Sequence, residues 1–382
     1  MNYSERILKF QQALTGKAQF AFFPISADLQ YLTGIPRDIP NFGAVLHPGG
    51  WLEGVWIAPG HDAVLTLTRM SAEFGNLADS KNVTVKILGE FDNPAGMVQA
   101  ILTGFGIGEK PTIALGDHAE GETVAGLSEL LPGATYVSAT KILNPQRAVK
   151  TADEIAAMRH AGAVTEAAFA DVLKQLKIGM TELDIISEVD YQLRKHGALG
   201  PSFTTSLYNS GPNHPLMFGQ RLATWPRVLT APVAVLFDFG AAMADGFCYD
   251  FGRTVHFGEP DAEMQRVYDL VMASQRAGIA ALKAGEVTCA QVDAAARAVI
   301  EDAGYGDAFR HRLGHGIGMD VHEAPFLTKI DHTPVVEGML FTIEPSITQF
   351  NTFSARVEDV VVARHGGGEP LTTGYQSLIV VE

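Results

Sequence analysis

Three strand-length apolar runs in this chain each carry a carboxylate where a hydrocarbon side chain is expected. Val233-Ala-Val-Leu-Phe237 runs into Asp238, Met339-Leu-Phe-Thr-Ile343 runs into Glu344, and Glu358 stands at the head of Asp359-Val-Val-Val362. Valine, isoleucine and phenylalanine at this density read as buried strands. A carboxylate carried into such a core is costly unless an opposite charge meets it, so these strands are expected to converge on shared positive charge. Asp250, just before Gly252-Arg253-Thr254, adds another carboxylate, and Ala244-Asp245-Gly246 reads as the hairpin turn between it and Asp238. Turn or cap duty is the commonest role of aspartate. A hairpin, however, can set two carboxylates on one face, where only cations let both stay ionised.

The segment His311-Arg-Leu-Gly-His315-Gly-Ile-Gly-Met-Asp-Val-His322 places three histidines around a Gly-x-Gly turn. Glycine lets backbone pack closely against a site, and imidazole serves both as transition-metal ligand and as proton carrier. Asp238, Asp250, His315, Glu344 and Glu358 together form a hard-ligand set suited to manganese, cobalt, iron or zinc. Arg356, two residues before Glu358, is expected either to pair with one of the carboxylates or to contact substrate.

A formal charge of -15 and pI near 5.2 exclude nucleic acid and anionic membrane as principal partners. With 47% hydrophobic and 19% charged residues, the 382-residue chain is long enough for two packed domains. Cys248 and Cys289, too few for a disulfide framework, suit a reducing cytoplasm. The opening MNYSERILKFQQAL lacks the basic and apolar regions of a secretory signal, and no run approaches the ~20 apolar residues of a membrane span.

From Ser4 to about Leu143 short helices and strands alternate: strands at Phe20 to Phe23, Ala63 to Leu67, Val83 to Leu88 and Thr112 to Leu115, and helices near Ala95 to Leu102 and Glu122 to Leu131. This alternation predicts a three-layer α/β unit and contains no cluster of histidine with carboxylate. Asn144-Pro-Gln-Arg147 breaks the pattern, giving domains 1–147 and 148–382, and a long helix with an acidic first turn follows Thr151. Lys177-Ile-Gly-Met-Thr181 and Lys283-Ala-Gly-Glu-Val-Thr288 each open a helix closed by glycine, at Gly197 and Gly304. Strands are expected after both, at Ser202 to Leu207 and Val233 to Phe257, then Gly338 to Pro345 and Ala355 to Ala363. The repetition predicts two related halves with a cleft between them.

With the strings DFGRT, GHGIG, VHEAP, FTIEP and RVED around the five ligand candidates, the chain resembles the pita-bread metallopeptidases: methionine aminopeptidase, aminopeptidase P, prolidase and the metal-free relative creatinase. Arg6 to Arg37, with its QYLTGI string, resembles the start of the creatinase/prolidase-type N-terminal domain. The resemblance implies an α/β N-terminal domain and an α+β pita-bread catalytic domain with pseudo-twofold halves. It implies two divalent metal ions, manganese first and cobalt, zinc or iron as alternatives. Asp238 would chelate one ion, His315 and Glu344 the other, with Asp250 and Glu358 bridging both and a hydroxide between the ions as nucleophile. Glu344 would shuttle the proton, and His311 and His322 would bind the scissile amide and its transition state. The implied activity is an Xaa-Pro dipeptidase or aminopeptidase acting on small peptides, as a cytoplasmic homodimer. An amidinohydrolase or lyase on the same scaffold, or a non-catalytic binding module, are the alternatives.

Several positions depart from that pattern. The Asp238 to Asp250 interval carries an extra residue near Ala242 to Ala244. In Ser210-Gly-Pro-Asn213-His214-Pro-Leu-Met-Phe218 either His214 faces substrate from a shifted register or Phe218 takes its place, and Gly219 to Thr230 is long. Phe326 stands where some prolidases have a carboxylate-binding arginine. Ser346 and Thr348 replace a glycine and a tyrosine.

Overall fold

The computed structural model describes residues 1–37, 48–350 and 352–382. Its internal contacts divide it into two compact units, Met1–Arg147 and Ala148–Glu382.

In the first unit the elements run α1 (Tyr3–Leu14), β1 (Phe20–Pro24), α2 (Ala27–Thr33), β2 (Gly54–Ile57), β3 (Val64–Thr68), α3 (Arg69–Phe74), β4 (Thr84–Leu88), α4 (Pro94–Gly104), β5 (Thr112–Leu115), α5 (Gly121–Leu130), β6 (Thr135–Ser138) and α6 (Ala139–Ala148). The six strands form one mixed sheet in the order β4-β3-β2-β1-β5-β6. Phe20, Ala21, Phe22 and Phe23 of β1 are all fully buried. Successive side chains of a strand point to opposite faces, so both faces of this sheet are covered, as a three-layer α/β unit requires. Strand β2 lacks a sequence signal of its own because Gly54 and Trp56 break the aliphatic pattern; Trp56 is held by its Nε1–H donating to Thr66 Oγ1 at 2.8 Å.

The second unit contains α7 (Ala152–Leu173), α8 (Glu182–Lys195), β7 (Gly200–Pro201), β8 (Ser206–Ser210), α9 (Arg221–Thr224), β9 (Val233–Phe239), β10 (Ala241–Ala242), β11 (Phe251–Phe257), α10 (Ala262–Ala281), α11 (Cys289–Asp302), β12 (Gly314–Gly316), β13 (Glu323–Leu327), β14 (Leu340–Ile343), β15 (Ser346–Gln349), β16 (Phe353–Arg356), β17 (Asp359–Val362), β18 (Glu369–Pro370) and β19 (Ile379–Val381). Its two larger sheets have the orders β19-β11-β9-β8 and β13-β12-β14-β17-β18.

The two halves repeat at the level of single hydrogen bonds. Gly179 N–H donates to Leu229 O and Leu229 N–H to Met180 O; in the second half Gly285 N–H donates to Val335 O and Val335 N–H to Val287 O. Gly179 and Gly285 share positive φ, +95° and +81°, as do the helix-closing Gly197 and Gly304 at +105° and +86°. Helix α8 starts at a capping box in which Thr181 Oγ1 accepts from Asp184 N–H at 3.1 Å and Asp184 returns the bond at 2.8 Å; Gln291 Oε1 accepts from Thr288 N–H at 2.8 Å at the start of α11. Leu229 and Val335 lie at the same remove before Asp238 and Glu344, so the pseudo-twofold halves deliver one carboxylate each from corresponding strands.

Two strand expectations shift. The segment anticipated at Ser202 to Leu207 forms as β8, Ser206–Ser210, because its pairing with β9 sets Leu207 opposite Phe237. The run Ala355 to Ala363 is not one strand: β16 pairs with β15, and β17 with β14. Between them Glu358 leaves both ladders, and its backbone bonds Gly252 instead. No helix among the described residues is long and apolar enough to cross a membrane.

Candidate metal centre

Five segments carry the ligand candidates into one cavity of about 380 Å³, whose lining includes Asp238, Asp250, His315, Glu344 and Glu358. Asp238 lies on β9, an inner strand of its sheet, opposite Ser206 on one side and Gly252 on the other. The hairpin therefore does not pair Asp238 with Asp250; the carboxylate of Asp250 enters from the residue just before β11. The connection between the two strands turns where Met243 N–H donates to Phe247 O and Gly246 N–H to Met243 O, both at 2.9 Å. Asp245 serves that turn as anticipated, accepting from Phe247 N–H at 3.1 Å.

His315 sits on β12 between two glycines, and a Cβ at Gly314 would stand 1.9 Å from Thr342 O, so only glycine lets β12 lie this close to β14. Thr342 joins two candidates: its hydroxyl accepts from His315 N–H at 3.1 Å and donates to Glu344 Oε1 at 3.3 Å. Behind the centre, Arg253 donates to Glu358 O at 2.8 Å and to Asp359 Oδ1 at 2.8 Å. Gln275 Nε2 donates to Asp359 Oδ2 at 3.0 Å and Thr372 Oγ1 to Asp359 Oδ1 at 2.6 Å. This buried network fixes the strand that carries Glu358.

Ligand atoms of Asp250, His315 and Glu358 lie within 4.8 Å of one another, the one such group among the described residues. His315 Nδ1 lies 3.0 Å from Gly316 O; a carbonyl only accepts, so Nδ1 carries the proton and Nε2 presents its lone pair. That lone pair faces Asp250 Oδ2 at 3.6 Å and Glu344 Oε1 at 3.4 Å. Asp250 Oδ1 and Glu358 Oε1 are buried without a hydrogen-bond partner. Acceptors thus converge on acceptors, an arrangement satisfied by a cation held among them. The oxygen-rich donor set with one imidazole fits divalent ions.

The electrostatics agree. Burial and the neighbouring acids raise Asp250 and Glu358 well above the usual carboxylate range, and burial pushes Glu344 up to about 7 despite Arg356. Burial and His322 push His315 down to about 3. Arg356 meets Asp238 at 2.8 Å, Glu358 at 3.4 Å and Glu344 at 3.7 Å. One guanidinium does not balance these carboxylates, and its NH2 group makes charge contacts without hydrogen-bond geometry. Arg356 also lines the cavity, so it pairs with a carboxylate while remaining part of the cavity wall.

A second cavity of about 590 Å³ adjoins the first, sharing His322, Glu344 and Arg356 and adding His311, Arg312, Phe326 and Thr328. The His322 ring lies 4.2 Å from that of His315. His311 donates from Nδ1 to Arg312 O at 2.7 Å, and its Nε2 lies 2.7 Å from Ser346 Oγ. Burial, with Arg356 adding to it, pushes His311 down to about 4. His214 belongs to neither lining. It is buried, with Nε2 3.3 Å from both Val228 O and Thr230 N, tying the 214–230 loop to itself. His214, expected as one of two alternative substrate contacts, is thus placed in its own loop rather than in either cavity lining. Phe218 instead packs 5.1 Å from Tyr208, which lines the first cavity together with Arg221. Sequence reading missed Tyr208, Arg221 and Arg312: none stands in an apolar run, so nothing marks them as out of place.

The family model described as metallopeptidase family M24 matches residues 156–365. The putative dipeptidase YkvY of Bacillus subtilis is 34% identical over 254 residues, 65% of this chain and 67% of that one. The Xaa-Pro dipeptidase of Lactobacillus delbrueckii subsp. lactis is 37% identical over 238 residues, 62% of each chain, so the match spans less than two thirds of that relative. The probable dipeptidase PepE of Mycobacterium tuberculosis is 33% identical over 293 residues, 76% of this chain and 74% of that one. Among solved structures, the dipeptidase from Pyrococcus horikoshii matches with TM-score 0.85 and 27% identity over 98% of this chain and 100% of that one. The prolidase from Thermococcus sibiricus matches with TM-score 0.87 and 26% identity over the whole of both.

Proposed function

The chain belongs to metallopeptidase family M24, and from that premise we propose that it is a metal-dependent Xaa-Pro peptidase hydrolysing the bond before proline in short peptides. The observation that carries the reading is the convergence of Asp250, His315 and Glu358 in a cavity that Asp238 and Glu344 also line. In this reading Asp238 would hold one divalent ion and His315 and Glu344 the other, with Asp250 and Glu358 supplying further carboxylates to the pair. Manganese comes before cobalt, zinc or iron because oxygen ligands dominate. When bound, such a pair supplies an activated water and stabilises the charge developing on the carbonyl oxygen.

The chain's own groups complete the chemistry. Glu344 lines both cavities, so its carboxylate takes the water's proton on one side and delivers it to the departing proline nitrogen on the other. That nitrogen has no hydrogen in the peptide and needs one to leave. His322, open to both cavities, is placed to donate to the scissile carbonyl oxygen. His311, held by Arg312 O and Ser346, walls the leaving-group side. Thr342 keeps Glu344 aligned with the His315 strand, and Arg356 orients the carboxylates from Asp238 to Glu358.

The burial of His214 favours one second reading, an amidinohydrolase or lyase on this scaffold, since the substrate pocket departs from the expected pattern there. The experiment covers both. Purified protein is loaded with manganese or cobalt and assayed on Xaa-Pro dipeptides, longer Xaa-Pro peptides, guanidino acids and sulfonium compounds. The expectation is Xaa-Pro hydrolysis with about two ions bound per chain. Glu344→Gln is expected to keep the fold and lose about 10²- to 10⁴-fold in kcat. Metal-loaded protein that cleaves no Xaa-Pro bond overturns the reading.

A further inference from the structure

The pseudo-twofold repeat extends to one residue on each capped helix that reaches across to the approach of a strand. Asp190 on α8 and Arg297 on α11 stand at the same remove from their capping threonines, Thr181 and Thr288. Thr205 and His311 likewise precede Asp238 and Glu344 by equal stretches of chain. In the first half Thr205 Oγ1 donates to Asp190 Oδ1 at 2.6 Å. In the second half Arg297 Nη2 donates to His311 O at 2.9 Å. Corresponding helix positions thus grip corresponding points of the chain, with unlike chemistry.

The two points gripped belong to different cavities. Thr205 is buried between Thr204 and Ser206, which line the metal cavity, whereas His311 lines the larger one. The second grip is the more elaborate. Asp293 and Arg297 form a buried two-bond ion pair, Nε to Oδ2 and Nη2 to Oδ1, each at 2.8 Å. A buried pair is stable only when its remaining donors and acceptors also find partners. Here those partners lie in residues 309–313: Nη1 donates to Phe309 O at 3.1 Å, and Asp293 Oδ1 accepts from Leu313 N–H at 3.0 Å. The guanidinium also lies over the Phe309 ring, 4.0 Å from its centroid, and Phe309 packs edge-on against the His311 ring at 5.4 Å. Both the carbonyl of His311 and the ring against its imidazole are therefore held from α11.

We propose that Arg297, paired with Asp293, and Asp190 are positioning residues that fix the two cavity walls separately. Arg297 acts through His311 on the leaving proline, and Asp190 acts through Thr205 on the first residue of the substrate. Neither helix residue belongs to either lining among the described residues, so each works only through the segment it holds. The assignment of substrate halves rests on the peptidase reading.

The test uses metal-loaded wild type, Arg297→Lys, the double variant Asp293→Asn with Arg297→Gln, and Asp190→Ala. Ala-Pro is the substrate, and free proline and free alanine are the competing products. Lysine keeps the charge and loses the fork, and the double variant leaves no buried charge unpaired, so one failure to fold does not end the test. Both second-half variants are expected to lower kcat about tenfold and to weaken inhibition by proline about tenfold, with inhibition by alanine within about twofold of wild type. Asp190→Ala is expected to do the reverse, weakening alanine and sparing proline. Equal losses for both products, or a loss for neither, overturn the proposal, because general loosening does not distinguish one cavity from the other. If wild type cleaves no Xaa-Pro bond, the peptidase reading fails, and amide hydrogen exchange decides the grips without substrate. Arg297→Lys should speed exchange at residues 309–313 and leave 203–206 unchanged, and Asp190→Ala the converse. Exchange that rises in both segments together, or in neither, overturns the proposal.

Discussion

Gly252 and Glu358 face each other as an isolated antiparallel bridge, Glu358 N–H donating to Gly252 O at 2.9 Å and Gly252 N–H to Glu358 O at 3.3 Å. This pair ties the strand that follows Asp250 to the segment between β16 and β17, and so brings carboxylates of both halves together. A Cβ at residue 252 would lie 3.0 Å from Glu358 Cβ and 3.2 Å from its Oε2. Gly252→Ala is therefore expected to push Glu358 aside and weaken metal binding by about 10- to 100-fold. Competitive chelator titration reads the loss; unchanged affinity means that the close approach does not set the ligand geometry.

Ser346 holds His311 through a 2.7 Å contact to Nε2, and the His311 Nδ1 proton is committed to Arg312 O. Ser346→Ala should free the ring and lower kcat by about tenfold with KM nearly unchanged, because orientation rather than binding is lost. A change confined to KM would place His311 in ground-state binding instead.

His214→Gln should leave kcat/KM within about threefold, whereas His322→Gln should cost about 10²-fold or more. The same variant carries a pH signature. Burial, reinforced by Arg227, holds the His214 imidazole below its ordinary value of 6.5. The unfolded chain therefore takes up a proton that the folded chain refuses, and this contribution to stability falls as pH drops below 6.5 toward the folded value. Denaturant titrations between pH 7 and about 5 should show a shallower acid loss for His214→Gln than for wild type; parallel profiles contradict the assignment.

Thr181 and Asp184 close a reciprocal cap at the start of α8, with bonds of 3.1 and 2.8 Å. Thr181→Ala should destabilise the protein by about 1 kcal/mol, read as a lower unfolding midpoint with unchanged denaturant slope. Because this cap is remote from the candidate metal ligands in sequence and role, kcat should not move.

Much of the centre was legible because charge in an apolar run is conspicuous. Asp238, Glu344 and Glu358 interrupt strands that are otherwise hydrocarbon, and His315 stands between glycines that serve close packing of β12 on β14. The repeated Lys-x-Gly and capping threonine signals likewise marked two equivalent helices, since local turn and cap chemistry needs only nearby residues. Signals that depend on pairing were harder to read. Ala355 to Ala363 looks like one strand, yet its middle is diverted to Gly252, and no local property of Val357 or Glu358 announces that exchange.

The expected substrate contacts show the same limit. His214 has the right residue type and neighbourhood for a site, and tertiary packing turns it into the anchor of its own loop. Arg312 and Phe326, fourteen positions apart in the sequence, become one stacked unit only because β12 and β13 run antiparallel and set His315 opposite Phe326. The sequence by itself determined which side chains could not be buried unpaired, and hence the candidate ligand set. Tertiary structure alone decided which acids share a cavity, which histidines face it and which arginines line it, because those outcomes depend on strand register and long-range packing rather than on the identity of any residue.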